Sequence, residues 1–307
     1  MKSIDALVIG GGPAGMTAAL YLLRAGVSVA QVEKLAPGGQ VLMTEWIDNY
    51  PGFPKGIRGY ELADLFAAHL DGFTLDRYTE DVRAIEPAPG NNRVQIGDEW
   101  IIAKSIVICS GAKYRNLNVP GEAKLAGKGV SYCAICDGQF FRDQVVACIG
   151  GGDTALEEAT YLTKLVKKLY LIHRRDTFRG AKVYQDKVMA DPKIERIMDT
   201  KVTEILGDTG ITGVRIQNVK TKATSVLTVD GAFIFVGITP QVDFLPSELT
   251  RDPGGFIVTD ANMKTNLPGI FAAGDVRSKI CRQVTTAVGD GATAAYSAGQ
   301  FLEQHHA

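Results

Sequence analysis

The sequence predicts an α/β fold organised as two three-layer units, each around its own parallel sheet. Three observations carry that prediction. Residues 5–9 form a short apolar run, Gly10-Gly11-Gly12-Pro13-Ala14-Gly15 follows at once, and residues 16–25 are rich in Ala and Leu, as a helix requires. The same order recurs at mid-chain: an apolar run at 145–149, then Gly150-Gly151-Gly152-Asp153-Thr154-Ala155, then a helical stretch at 156–165. The spacing repeats as well. Gly150 lies 140 residues after Gly10, and a polar residue closes the second strand 23 residues after each, Glu33 in one unit and His173 in the other. A short apolar run, a tight turn and a helix read as a buried parallel strand feeding a crossover, and two matched copies argue for two such units.

In the first unit the glycines fit GxGxxG, the Rossmann-like dinucleotide-binding pattern. Gly10 permits the sharp turn, Gly12 lets backbone approach a pyrophosphate, and Gly15 lets the helix close on the strand. With Pro13 and Ala14 between them, they aim a helix N-terminus and its free N–H groups at phosphate. Residues 27–32 supply the second strand. Glu33 at its end, with Lys34 beside it, accepts hydrogen bonds from ribose hydroxyls and repels a 2′-phosphate, so FAD or NAD fits there better than NADP. Ala36-Pro37-Gly38-Gly39-Gln40 and residues 48–54, which include Asn49, are turn-rich; they read equally as connections or as a flavin-facing surface. Residues 60–71 form an amphipathic helix with Leu62, Leu65, Phe66 and Leu70 on one face, where His69 reads as a packing or surface residue. Runs at 82–85, 93–96, 99–102 and 105–108, punctuated by Pro87, Gly90 and Gly97, form an antiparallel meander returning to the main sheet, with Cys109 a core thiol.

The second glycine loop has the form GxGxxA, and the difference lies at the strand end. Where the first unit has Glu33, the second has His173-Arg174-Arg175, with Arg179 four residues on. Guanidinium groups grip phosphate in bidentate fashion, and a ribose 2′-phosphate is the anion that belongs at that point. The alternative is a solvated basic face, with Lys164, Lys167 and Lys168 nearby. Position favours NADP(H), cradled by Gly150, Gly152, Asp153 and Thr154, and leaves FAD for the first loop. A helix at 182–189, a second meander at 201–206, 213–219 and 225–229, and a buried strand at 232–237 complete this unit. Residues 254–258 and 269–275 are strand-like, and a helix opens near 283. Gly274-Asp275 at a strand end binds a ribityl hydroxyl or a phosphate-bound water, or else caps the next element. The helix N-terminus at Arg282-Gln283-Val284 is placed to stabilise negative charge on a reduced flavin.

Cys133-Ala134-Ile135-Cys136-Asp137 lies just before the second glycine loop. Two thiols at this spacing close a small disulfide ring, one sulfur attacking a partner while the other resolves the mixed disulfide. Asp137 can pass a proton to or from the departing thiolate. A zinc half-site is the other reading, but a structural site needs four ligands; there is no second CxxC or Cys/His pair, and His305 and His306 sit in a polar tail. Five cysteines, an odd number, do not form a secreted disulfide framework. The net charge of −1 points to neither nucleic acid nor a membrane surface. There is no signal-peptide pattern and no apolar run of about 18 residues. A reducing, cytoplasmic compartment is expected.

Together these residues resemble the low-molecular-weight thioredoxin reductases of bacteria, over nearly the whole chain. Gly10 to Gly15, Gly38-Gly39-Gln40, Asn49-Tyr50-Pro51-Gly52, the Cys133 to Asp137 motif, Gly150 to Ala155, His173-Arg174-Arg175 with Arg179, Phe271-Ala272-Ala273-Gly274-Asp275 and Arg282-Gln283 carry the resemblance. It implies a homodimer whose chains each hold a discontinuous FAD domain, residues 1–115 and 243–307, with an NADPH domain, residues 116–242, inserted into it and bearing the Cys pair. It implies that the inserted domain swivels, so that nicotinamide and disulfide reach the flavin in turn. It implies NADPH-dependent reduction of oxidised thioredoxin, with Cys136 nearest the flavin, Cys133 attacking the partner and Asp137 as acid. The spacer departs from the pattern, with Ala-Ile where Ala-Thr is commonest, and Gly180 stands for a usual Ala. Two rivals share most of these features: a flavin disulfide reductase serving another thioredoxin-fold carrier, and a non-turnover FAD/NADPH sensor.

Overall fold

The structure is a computed structural model that describes residues 1–44, 46–47 and 49–305. Asp48 of the second loop and His306 of the tail lie outside them. The chain divides into two units, Met1–Lys113 with Thr239–Ala307, and Tyr114–Ile238.

The first unit opens with β1 (Ser3–Ile9), α1 (Pro13–Arg24) and β2 (Val29–Val32). α1 begins at Pro13, ahead of the apolar periodicity, because proline at the first helical position forfeits no hydrogen bond and its fixed φ already suits a helix. α2 (Gly59–Ala68), β3 (Asp76–Tyr78), β4 (Val82–Glu86), β5 (Asn92–Ile96), β6 (Glu99–Ile108) and β7 (Ala112–Tyr114) follow. The polar strand β3 has no hydrophobic signature; it pairs parallel with β2 at the sheet edge. β6 is one strand where two short runs are expected. No turn residue interrupts it, and its first half pairs antiparallel with β5 while its second half runs parallel to β1. The buried Asn92 side chain locks this junction, donating to Ala103 O at 3.1 Å.

The second unit contains α3 (Glu122–Leu125), β8 (Val130–Ser131), α4 (Ala134–Asp137), β9 (Val145–Gly150), α5 (Asp153–Leu162), β10 (Lys168–Ile172), α6 (Lys182–Ala190) and β11 (Ile194–Ile197). The meander β12 (Thr200–Gly207), β13 (Ile211–Asn218) and β14 (Thr224–Thr228) comes next, then β15 (Gly231–Phe235) and β16 (Ile238–Pro240). Its main sheet is wholly parallel, in the order β11-β10-β9-β15-β8. One face packs on α5 through Leu156, Leu162 and Phe233; the other packs on the meander through Ile149, Val214 and Ile234. β7 and β16, where the chain crosses between units, pair with each other.

Back in the first unit, β17 (Ile270–Ala272) pairs parallel with β6, and α7 (Val284–Gln304) lies against α1. Residues 254–258 do not form the expected strand. Asp252 Oδ1 accepts from Gly254 N and Phe256 N, and this side-chain turn leaves only single bridges at Ile257. The fold is therefore α/β with two Rossmann-like sheets, the first mixed and the second wholly parallel, one unit inserted into the other along the chain.

Register places the functional edges. Ile9 sits opposite both Val32 and Ile108, and Ala272 opposite Ile108, so Gly10, Glu33 and Gly274 all emerge at one carboxyl edge. Ile149 sits opposite Ile172 and Ile234, so Gly150 and His173 emerge together in the second unit. Each glycine loop lies where strand order reverses, β1 between β2 and β6 and β9 between β10 and β15, which is where open α/β sheets bind ligands.

Glu122 anchors the start of the second unit. Its buried carboxylate accepts from Leu117 N at 2.9 Å, Asn118 N at 2.7 Å, Val119 N at 3.4 Å and Tyr132 Oη at 2.9 Å. Glu122→Ala removes the shared acceptor of these partly buried donors. We expect a loss of roughly 2–4 kcal/mol of stability, read from urea denaturation; a change below about 1 kcal/mol counts against this role.

Candidate active site

At the first edge, α1 has Gly12 at its N-cap, no side-chain cap and no acidic residue in its first turn. Its leading N–H groups are thus left for a ligand. Gly15 is pressed so close that a Cβ there would stand 2.0 Å from Gly10 O, while one at Gly12 would meet only Gly39 Cα, at 4.0 Å. The first contact seats the helix on the strand; the second leaves open room in front of the loop. Glu33 ties the turn together, accepting from Gly11 N at 2.7 Å and Leu35 N at 3.0 Å. Lys34 turns away to pair with Asp81 at 2.9 Å. The Gly38-Gly39 turn closes on the loop, Gly38 N donating to Gly11 O at 2.7 Å, and Gln40 Nε2 reaches Ala112 O at 2.8 Å. Asn49 Nδ2 donates to Gln283 Oε1 at 3.1 Å, joining the second loop to the head of α7, where Val284 packs beside Val41. Pro13 opens α1 and Ala14 packs under Gly274 and Gly291.

Asp275 stands at the end of β17 with Oδ1 buried and without a hydrogen-bond partner; the nearest ammonium, Lys279 Nζ, is at 3.7 Å. A buried carboxylate oxygen left open at this edge fits a hydroxyl-bearing ligand. Burial pushes the Asp275 pKa up, opposed by Lys279 and Arg282 and reinforced by Asp290. Arg282 organises the loop: Nε donates to Asp275 O at 3.3 Å, Nη1 to Lys279 O at 3.1 Å and Nη2 to Arg277 O at 3.1 Å, and the guanidinium stacks 4.0 Å from the Phe256 ring centroid.

At the second edge α5 has Gly152 at its N-cap, again without a side-chain cap, and a Cβ at Gly152 would meet open space. Asp153 Oδ1 accepts from Ala181 N at 2.6 Å and Gly151 O accepts from Arg179 N at 2.7 Å, so the basic loop is strapped to the glycine loop. Thr154 is exposed on the first turn. Arg174, Arg175 and Arg179 are exposed, and among the described residues their guanidinium groups make no ion pair. Three free guanidinium groups at a strand end fit a phosphate monoester. His173 differs from its neighbours. It is buried beneath Gly151, burial lowers its pKa, and the three arginines lower it further against a hydrogen bond to the Thr177 backbone. It is a neutral support for the loop, not a cation in the basic group.

Cys133 and Cys136 form a disulfide, with Cα atoms 5.3 Å apart. Cys133 caps α4, its Sγ accepting from Cys136 N at 3.2 Å. Asp137 Oδ2 accepts from Ser131 Oγ at 2.6 Å, and Ser131 Oγ accepts from Cys133 N at 3.1 Å. One hydroxyl thus fixes both the acid and the backbone of the first cysteine. Sequence reasoning missed Ser131, since a serine six residues before the acid has no local signature.

It also missed a buried ion network behind Asp275. Asp290 of α7 pairs with Arg277 at 2.9 Å and Lys279 at 2.9 Å and accepts from Gly274 N at 3.1 Å. An acid between Gly289 and Gly291 in a helix of small residues was the available signal. The raised Asp275 pKa has a consequence with a definite sign. Above the raised pKa the ionised group costs folding energy; below the ordinary carboxylate range both states are protonated and the cost is gone. Asp275→Asn should therefore stabilise the ligand-free protein at pH 7, and the gain should shrink as pH falls toward about 4. Urea denaturation at both pH values checks this, and a pH-independent difference contradicts it.

The comparisons with known proteins agree with this geometry. Residues 4–291 match the family model described as pyridine nucleotide-disulphide oxidoreductase. The thioredoxin reductase of Listeria innocua is 42% identical over 99% of this chain and 95% of its own length. That of Streptomyces coelicolor is 41% identical, over 97% and 94%. The crystal structure of thioredoxin reductase from Streptococcus pyogenes superposes with a TM-score of 0.94 at 46% identity, covering 98% of this chain and 99% of the other. An enzyme's redox disulfide on one Rossmann-like unit, a glycine loop on each, and a family match across nearly the whole chain lead to one conclusion: this protein belongs to the pyridine nucleotide-disulphide oxidoreductase family.

Proposed function

We propose that this enzyme is an NADPH-dependent thioredoxin-disulfide reductase. On this reading residues 1–115 and 243–307 bind FAD, and residues 116–242 bind NADPH and carry the redox cysteines. The observation that carries it is the Cys133–Cys136 disulfide, set on the unit whose strand end presents three unpaired guanidinium groups. Relatives named thioredoxin reductase, alike over nearly their full length, support the same substrate.

The FAD site takes Gly10, Gly12, Pro13, Ala14 and Gly15 for the pyrophosphate, Glu33 and Lys34 at the ribose end, and Gly38, Gly39, Gln40 and Asn49 along the loops. Gly274 and Asp275 would hold the ribityl chain, and Arg282, Gln283 and Val284 at the head of α7 would stabilise negative charge on the reduced flavin. The open carboxylate oxygen of Asp275 and the uncapped α1 support this assignment. The NADPH site takes Gly150, Gly152, Asp153 and Thr154 at the loop, with Arg174, Arg175 and Arg179 on the 2′-phosphate and His173 beneath. When bound, the flavin supplies the two-electron link between nicotinamide and disulfide.

The protein's own groups do the rest. Two electrons and two protons open the Cys133–Cys136 bond. The Cys133 thiolate attacks the partner's disulfide, forming a mixed disulfide and releasing one partner thiolate. Cys136 then attacks Cys133 Sγ, the intramolecular bond re-forms, and the second partner thiolate leaves. Asp137, held by Ser131, delivers the proton that a departing thiolate needs. A homodimer working in the cytoplasm completes the proposal. The absence of any helix long and apolar enough to cross a membrane, among the described residues, is compatible with it.

Two measurements test this. NADPH oxidation with thioredoxin should far exceed NADH oxidation, and Arg174→Ala with Arg175→Ala should cut NADPH efficiency roughly 100-fold, two charge-assisted contacts at about 1.5 kcal/mol each. Equal rates with both nucleotides refute the 2′-phosphate assignment. In Cys136→Ser, flavin bleaching by NADPH should persist while thioredoxin reduction disappears; no bleaching even in the unaltered protein would favour a sensor. Faster reduction of another thioredoxin-fold carrier would reassign the partner.

A further inference from the structure

The meander β12 to β14 has no part in the mechanism above, yet the turn at its tip reaches the basic loop. β13 and β14 pair as far as Gln217 and Thr224, and Asn218 builds the turn between them, its Oδ1 accepting from Lys220 N at 3.0 Å and Thr221 N at 2.9 Å. Asp199, between β11 and β12, joins this turn to the arginines. Its N donates to Arg175 O at 3.0 Å, and its O accepts from Val219 N at 2.6 Å. It does so at a φ of 50°, in the left-handed region that Asp tolerates better than most residues.

Two carboxylates therefore stand beside the arginines: Asp176, which follows Arg175 directly in the chain, and Asp199, bonded through its backbone to Arg175. Among the described residues neither pairs with a guanidinium group of that loop. Both are turned to Lys220, whose Nζ lies 3.0 Å from Asp199 Oδ2 and 3.5 Å from Asp176 Oδ2. The next ammonium, Lys222, is bent back on its own turn and donates to Val219 O at 2.8 Å. Exposed ion pairs contribute little to stability, so the consequence of this one lies in the local charge. Two unpaired acids would offset two of the three guanidinium charges and compete with a phosphate for their N–H groups. We propose that Lys220 is a positioning residue for the nucleotide 2′-phosphate: by holding Asp176 and Asp199 it leaves Arg174, Arg175 and Arg179 open to the phosphate, and so strengthens the preference for a 2′-phosphorylated nucleotide. The meander thus gives the basic loop a fourth cation from a turn 44 residues beyond Asp176. The effect acts across solvent, so salt screens it.

The inference rests on the basic loop binding a 2′-phosphate, and one titration separates the two. The full-length protein is titrated by calorimetry with adenosine 2′,5′-bisphosphate and with AMP, which lacks only the 2′-phosphate, at ionic strengths of about 0.02 M and about 0.5 M. If the unaltered protein binds both ligands alike, the 2′-phosphate reading itself falls and takes this inference with it. If it prefers the bisphosphate, Lys220→Ala should weaken that ligand about fivefold at low salt and AMP by less than about twofold. At high salt the loss should shrink below about twofold. Lys220→Arg should keep the preference, and Asp176→Asn added to Lys220→Ala should recover most of it, because one charge of each sign is then gone. An unchanged preference in Lys220→Ala, a loss shared equally by both ligands, a loss that salt leaves untouched, or no recovery on adding Asp176→Asn overturns the proposal.

Discussion

Both nucleotide edges depend on how closely a helix can approach the strand before it. A side-chain carbon at Gly15 would overlap Gly10 O at 2.0 Å, and one at Gly291 would overlap Ala14 O at 2.3 Å. α1 is therefore seated by backbone against backbone, between β1 on one side and α7 on the other. That seating carries the first N–H groups of α1 to the carboxyl edge of the sheet, where register has already collected Glu33 and Asp275. The second unit solves the same problem with one methyl in place: Ala155 stands where the first loop has Gly15, and the space is found at Gly150, whose missing Cβ would lie 2.5 Å from Ala155 Cβ. Neither helix N-terminus is capped by a side chain. A cap would add stability and occupy the donors that a phosphate needs.

The carboxyl groups of this protein have three different fates. Glu122 is saturated by donors and holds a loop. Asp290 is neutralised by two cations and fixes the turn ahead of α7. Asp275 and Glu158 each keep a buried oxygen with no hydrogen-bond partner, one at the carboxyl edge of the first sheet and one on α5. Burying such an oxygen disfavours the ionised form, so each weakens the fold at neutral pH. A ligand hydroxyl can use what the fold leaves open at Asp275. The same trade appears in the basic loop, where Asp153 and Gly151 hold the backbone and leave three guanidinium groups in water.

Charge at equivalent strand ends separates the two nucleotides on the proposed reading. An acid at Glu33, bonded into its own glycine turn, suits free ribose hydroxyls. Arginines after His173 suit an esterified one. The fold around them is nearly the same, so the discrimination rests on a few side chains at a fixed point of the βαβ unit.

The sequence by itself determined the repeated βαβ units, the glycine turns, the closing residues of the strands and the thiol spacing. These follow from rules that act within a few residues: strand and helix periodicity, the steric freedom of glycine, and proline at a helix start. It also held the identity of the arginine group, because that position is counted along the chain. Tertiary structure alone decided the rest. β3 is a strand only because β2 offers it a partner, and β6 is continuous because β1 and β5 grip its two halves. Ser131 meets Asp137, and Asp290 meets Lys279, only after helices and sheets have packed. Local sequence encodes how the backbone turns; which polar groups are buried together, and which are left without a partner, is settled by contacts between residues far apart in the chain.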